Sequence, residues 1–214
     1  MGTIESLEPK NVWRNFYSLT QVPRPSGHTE KISGFLVEFG KKLGLESYID
    51  AAGNVVIKKS ASKGYENRKT VIIQAHMDMV PQKDTDVKHD FEKDPIDAYV
   101  DGDWVTARGT TLGADDGLGV AAIMSVLEDD NIKHGPLVAL VTRDEETGMY
   151  GAFGIKEGML QADILLNLDS ESEGELFIGC AGGTDVNVSL NYKEEDTPNS
   201  LKALKIVLSG LHGG

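Results

Sequence analysis

Thr70-Val71-Ile72-Ile73-Gln74-Ala75-His76-Met77-Asp78 begins as a β-branched apolar run and ends on a His-x-Asp pair. A run of this length and composition, preceded by the polar turn stretch Lys58 to Lys69, reads as a strand. Residues i and i+2 of a strand share a face, so His76 and Asp78 project together while Met77 and Met79 point away. Working outward, Val55-Val56-Ile57 is a second short β-branched run. Asp116 to Leu127 reads as a buried helix, because Val120, Ile123, Met124 and Leu127 recur at three- and four-residue spacing. Leu137 to Val141 and Ile164 to Leu168 are continuous apolar runs of strand length, as a sheet covered on both faces requires. Strands alternating with helices predict an α/β layered fold, with a mainly parallel sheet and helices on both faces.

Two helices are expected before this core. Residues 9 to 21 carry Val12, Trp13, Phe16, Tyr17 and Leu19 near helical spacing, and Val22-Pro23-Arg24-Pro25-Ser26-Gly27 ends the segment. Thr29 to Leu43 places Ile32, Phe35, Leu36 and Phe39 on one face, with Gly44 just beyond. Pro81 to Trp104 is acidic and turn-rich, a surface loop with a short strand near Trp104-Val105. The texture changes again at Gly182-Gly183. Thr184 to Tyr192 alternates with period two, placing Val186, Val188 and Leu190 on one face, and Leu204 to Leu208 is a further strand candidate. An antiparallel unit is therefore expected to begin near 183, giving domains 1–182 and 183–214.

Composition narrows the function classes. The 214 residues carry 34 acidic and 21 basic side chains, a formal charge of −13, which is a poor footprint for nucleic acid or an anionic membrane. No apolar run approaches the roughly 18 residues of a membrane span, and Met1-Gly2-Thr3-Ile4-Glu5-Ser6 lacks a basic start and an apolar segment, so a cytoplasmic location is expected. The single cysteine, Cys180, forms neither an internal disulfide nor a thiolate cluster. Any metal must be held by histidine and carboxylates.

Four short motifs supply such groups. His76-Met77-Asp78 is weak by itself and more readily describes a structural or surface histidine. Gly113-Ala114-Asp115-Asp116-Gly117 opens the buried helix; Asp116 suits an N-cap, whereas Asp115, beside glycines that let the backbone approach closely, could bridge two cations with its two oxygens. In Asp144-Glu145-Glu146-Thr147-Gly148, three successive acids repel unless solvated, protonated or set beside positive charge. Leu165-Leu166-Asn167-Leu168-Asp169 ends an apolar run on a carboxylate. Together, His76, Asp115, Glu146 and Asp169 fall at the carboxyl ends of strands or in the loop feeding a helix. In an open α/β sheet those ends form one edge, where the ligand crevice lies. One imidazole and several carboxylates suit zinc, manganese or cobalt.

At these residues the sequence resembles the M20 family of co-catalytic metallopeptidases, with its order of His-x-Asp, Asp before glycine-rich sequence, Glu-Glu, then Asp. Ile73 to Lys83, Thr111 to Gly117 and Val22 to His28 resemble the aminoacyl-histidine dipeptidase branch in particular. The resemblance implies that His76 and Asp169 bind one metal, Glu146 the other, and that Asp115 bridges two divalent ions, zinc or else manganese or cobalt. It implies that Glu145 is the general base and that Asp78 supports His76. The reaction so implied is hydrolysis of a dipeptide, of Xaa-His type or of broad specificity, by metal-activated water. A dipeptide is then the partner, without nucleic acid or membrane, and a homodimer is the candidate assembly. Related M20 hydrolases such as an aminoacylase, deacetylase or tripeptidase would share the metals and differ in the pocket; a non-catalytic piece is the alternative of another class. The family takes its second metal's remaining ligand from a distal histidine in a longer chain interrupted by a lid domain. Gly210-Leu211-His212-Gly213-Gly214 resembles the start of that lid, an α+β domain, so the sequence is expected to be an amino-terminal piece with little or no peptidase activity of its own, and His212 is not assigned as a ligand.

Overall fold

The computed structural model describes residues 4–170, 172–179, 182, 186–196, 198, 200–202 and 204–207. The chain divides into a compact unit, Met1–Glu173, and a second, Gly174–Gly214. The first unit is built on a five-stranded sheet in the order β1-β2-β6-β3-β7, where β1 is Glu46–Ile49, β2 Val55–Lys59, β3 Val71–His76, β6 Leu137–Thr142 and β7 Ile164–Asn167. β3 runs parallel to both its neighbours, β6 and β7, while β2 pairs antiparallel with β6 and β1 antiparallel with β2. The sheet is therefore parallel where the motifs lie and antiparallel on the far side.

Alternation along the strands separates two apolar layers. Val55, Ile57, Ala75, Ala139 and Val141 face a large core shared with α1 (Lys10–Thr20), α2 (Glu30–Lys42) and α3 (Ala114–Glu128). Phe16, Leu19, Ile32, Leu36, Val120 and Ile123 are each at most 1% exposed within it. Fully burying side chains of this kind contributes about 1.5–3 kcal/mol apiece before entropy is counted. The opposite face holds the smaller cluster of Val56, Ile72 and Leu140, against which Ile155 and Leu160 pack after the short helix α4, Tyr150–Phe153. The β3-to-β6 crossover thus runs through α3 on one face, and the β6-to-β7 crossover runs through α4 toward the other.

Several expectations need adjusting. The apolar run of β7 predicted a strand covered on both faces, but β7 pairs only with β3 among the described residues, and Ile164, Leu165 and Leu166 are exposed. The 81–104 loop contains a hairpin, β4 (Ala98–Asp101) and β5 (Trp104–Ala107), whose register pairs Asp101 with Trp104 across a Gly102-Asp103 turn. In the second unit, no strand occurs among the described residues of the two predicted stretches, and Val186, Val188 and Leu190 are exposed. Alternation makes a strand only where a neighbouring ladder takes up its backbone groups. Thr184, Leu208, Cys180 and His212 lie outside the described residues. No helix among the described residues is long and apolar enough to cross a membrane.

Candidate metal centre

β3 delivers His76 to the edge of the sheet. Its backbone partners in β6 and β7 fix the level: His76 pairs with Thr142, and Gln74 pairs with Asn167. Carrying the second register forward by two residues sets Asp169 beside His76. The two side chains do approach, with His76 Nε2 3.9 Å from Asp169 Oδ2. Asp115 reaches the same nitrogen from the start of α3, its Oδ1 2.9 Å away. Glu145 and Glu146 come from the loop after β6. Donor atoms of His76, Glu145 and Asp169 lie within 4.8 Å of one another, and so do those of His76, Asp115 and Glu146. Four segments distant in sequence thus meet at one imidazole.

The imidazole is held before any ligand arrives. Its Nδ1 is 3.1 Å from the backbone carbonyl oxygen of Asp78 and 3.4 Å from that residue's Oδ1. With Nδ1 donating to these oxygens, Nε2 is the nitrogen turned toward Asp115 and Asp169. Burial lowers the His76 pKa, but hydrogen bonds to Asp78 and Asp115 outweigh it and push the value up to about 9. The Nε2 proton therefore lies among carboxylates that could equally surround a cation. This is a donor set that fits a divalent ion: one oriented imidazole and four carboxylates, crowded beyond what a single proton neutralises. The two glutamates feel that crowding. Burial, then Asp169, Asp78 and Asp115, raises the Glu145 carboxyl against the pull of His76. Burial and Asp115 likewise raise Glu146.

Asp78 does more than orient His76. Fully buried, its Oδ1 accepts from the Glu145 backbone N–H at 3.0 Å, and its Oδ2 accepts from Ser26 Oγ at 2.7 Å and the Glu146 N–H at 3.4 Å. Burial raises its pKa, but the bonds from His76, Ser26 and Glu145 outweigh that and leave it below the usual carboxylate range. Asp144, the first of the three successive acids, turns away from the cluster and accepts from the Gly27 N–H at 2.7 Å. Asp116 is the N-cap that its position predicts. Asp115 and Asp116 have non-helical backbone angles within α3, and their peptide bond is cis. Asp116 Oδ1 accepts from the Gly119 N–H and Oδ2 from the His76 N–H, joining the helix start to the strand end. Burial, with Asp169 and Asp115, raises its pKa to about 7 despite His76.

Sequence reasoning assigned no role to Arg24, which it read within a helix-ending stretch and a segment of family resemblance. Its guanidinium is buried, with Nη1 donating to the carbonyls of Met77 and Asp78 and Nη2 to that of Gly113. Burial lowers its pKa to about 10, while Asp78, Asp116 and Asp115 act to raise it. The available signal was an arginine held between two prolines, Pro23 and Pro25, in a segment otherwise suited to a turn.

Comparison with known proteins places these motifs in a wider set. Residues 72–203 match peptidase family M20/M25/M40. The whole chain is 49% identical to 44% of the cytosol non-specific dipeptidase of Escherichia coli strain K12. Among solved structures, an aminoacylhistidine dipeptidase from Vibrio alginolyticus superposes with a TM-score of 0.82 at 51% identity, over 84% of this chain and 36% of that one. A tripeptidase from Staphylococcus aureus superposes with a TM-score of 0.65 at 27% identity, over 80% of this chain and 45% of that one. The chain spans less than half the length of each of these relatives.

Proposed function

From a chain that belongs to peptidase family M20/M25/M40, we propose a metal-dependent hydrolysis of dipeptides, of Xaa-His type or of broad specificity, centred on His76. The observation that carries this reading is the convergence of carboxylates from three separate loops on one pre-oriented imidazole. The names of the Escherichia coli and Vibrio relatives support a dipeptide as substrate.

On this reading His76 and Asp169 would hold one divalent cation and Glu146 a second, with Asp115 shared between the two positions; the mixed nitrogen and oxygen donors favour zinc, with manganese or cobalt as alternatives. Such cations, when bound, polarise a peptide carbonyl and make water a stronger acid. Glu145 takes the proton of the attacking water and delivers it to the leaving amine. Asp78 holds the Glu145 and Glu146 backbone with the same carboxylate that borders His76, fixing base and ligand in one frame. A second assignment has its own support: the Glu145 carboxylate lies within reach of the His76 and Asp169 donors, which would make it a ligand. Residues 1–182 would then belong to the catalytic domain and 183–214 would open a lid, a division supported by the compact unit ending at Glu173.

The test is calorimetric titration of chelator-treated protein with zinc, alongside hydrolysis of an Xaa-His dipeptide. Zinc binding that His76→Ala loses is expected. Protein that binds no zinc would sink the proposal.

A further inference from the structure

We propose that Arg24 is a positioning residue for this centre: its guanidinium sets the separation between the His76-bearing and Asp115-bearing segments. The inference rests on the metal reading above and adds to it a residue that touches neither a cation nor a substrate. Nη1 donates to Met77 O at 3.0 Å and to Asp78 O at 3.2 Å, immediately after His76. Nη2 donates to Gly113 O, two residues before Asp115. The guanidinium is a rigid plane, so two segments bonded to its two ends keep the distance that the plane dictates. Lysine, a compact charge on a flexible stem, imposes no such spacing.

The surroundings are shaped to this plane. A Cβ added at Gly113 would lie 2.6 Å from Arg24 Nη2, and one at Gly117 2.5 Å from it, with Phe16 Cε2 at 3.0 Å. Gly113 has φ +70°, but Gly117 does not adopt a left-handed backbone, so steric room for Arg24 accounts for glycine there. The rest of the Arg24 loop grips the same frame. Pro25 bridges to Met79, the Met79 N–H donates to Arg24 O, and the Ser26 hydroxyl donates to Asp78 Oδ2. Burying a guanidinium against carbonyls costs more than burying an aliphatic chain of similar size. A fixed distance between two ligand-bearing segments is what the arginine supplies and an aliphatic chain cannot.

The test is cobalt(II) titration of the chelator-treated chain, reading both affinity and the visible absorption band, which reports ligand geometry. Wild-type protein that binds no cobalt would overturn the metal reading itself. Given wild-type binding, Arg24→Lys is expected to bind cobalt about 10- to 100-fold more weakly, the usual cost of losing a group that orients ligands, with an altered band. A folded Arg24→Lys protein with unchanged affinity and band would overturn the inference, even with a lowered melting temperature, because a purely structural role moves stability alone. Should Arg24→Lys fail to fold, Gly117→Ala keeps the arginine but displaces Nη2. The same weakening and band change are expected there, and an unchanged cobalt centre in that variant refutes the assignment.

Discussion

At the scale of single residues, the two adjacent glutamates carry the sharpest expectation. If Glu145 is the general base proposed above, Glu145→Gln in a form of the enzyme that turns over dipeptide is expected to lower turnover about 100- to 10,000-fold while leaving zinc content nearly unchanged. Glu146→Gln is expected to lower zinc content. Both are read by metal analysis beside a dipeptide assay, and the opposite pattern would exchange the two roles, making Glu145 the ligand that its distance to His76 and Asp169 allows. His76, the glutamate pair and Asp169 were legible in the sequence because they follow apolar strand runs, and Asp115 because it opens an apolar helix; polar chemistry at such junctions is visible as a break in hydrophobicity. Arg24 and Asp144 were not. The first bonds to backbone carbonyls and the second to the Gly27 N–H, partners that every residue offers and no pattern marks.

At the scale of elements, the N-terminus of α3 is where strand, helix and candidate ligands share one side chain. Asp116→Ala removes the cap of Gly119 and leaves the buried His76 N–H without its acceptor. A lost cap and an orphaned donor together are expected to destabilise the protein by about 2–4 kcal/mol, measured by urea unfolding. A loss below about 0.5 kcal/mol would mean that water replaces the carboxylate. α1 and α2 were readable because burial against the larger core enforces their periodicity, and β3 and β6 because burial on both faces makes them continuously apolar. β1, with no fully buried residue, offered no comparable pattern, and the β4–β5 hairpin was obscured by the acidic stretch before it. Alternation at Val186 to Leu190 misled for the converse reason: pattern records a surface suited to pairing, and pairing also needs a neighbour.

For the whole molecule, the charges around His76 make stability depend on pH with a definite sign. His76 has its pKa raised from 6.5 to about 9 and Asp116 from 3.8 to about 7, so the folded state holds protons that the unfolded chain releases. The stability they contribute is fully present below each unfolded value and is lost as pH rises through the folded value. Asp78 acts in the other sense, its contribution disappearing as pH falls below the ordinary carboxylate range. Chelator-treated protein should therefore melt at lower temperature as pH rises from about 6 to 9, and zinc should flatten the decline by taking over from the proton. A melting temperature that climbs across this interval would contradict the shifts. On the proposed assignment calorimetry should also resolve unequal zinc sites, since His76, Asp169 and Asp115 would serve one position whereas Glu146 and the shared Asp115 would serve the other among the described residues. Two equally tight zinc sites would refute the pairing.

The parallel trio β6-β3-β7 has a consequence for how such a chain can change length. Adjacent strands lie about 4.8 Å apart and each residue advances about 3.3 Å, so the sheet acts as a ruled grid on which His76 and Asp169 occupy neighbouring squares. One codon inserted within Val71–His76 moves His76 along by a square and flips it to the opposite face, dispersing the cluster even if the core still forms. Codons inserted at the exposed Gly102-Asp103 turn displace none of the clustered side chains. Insertions and deletions should accordingly collect in the turns of this sequence while the strands that carry its chemistry keep their length to the residue.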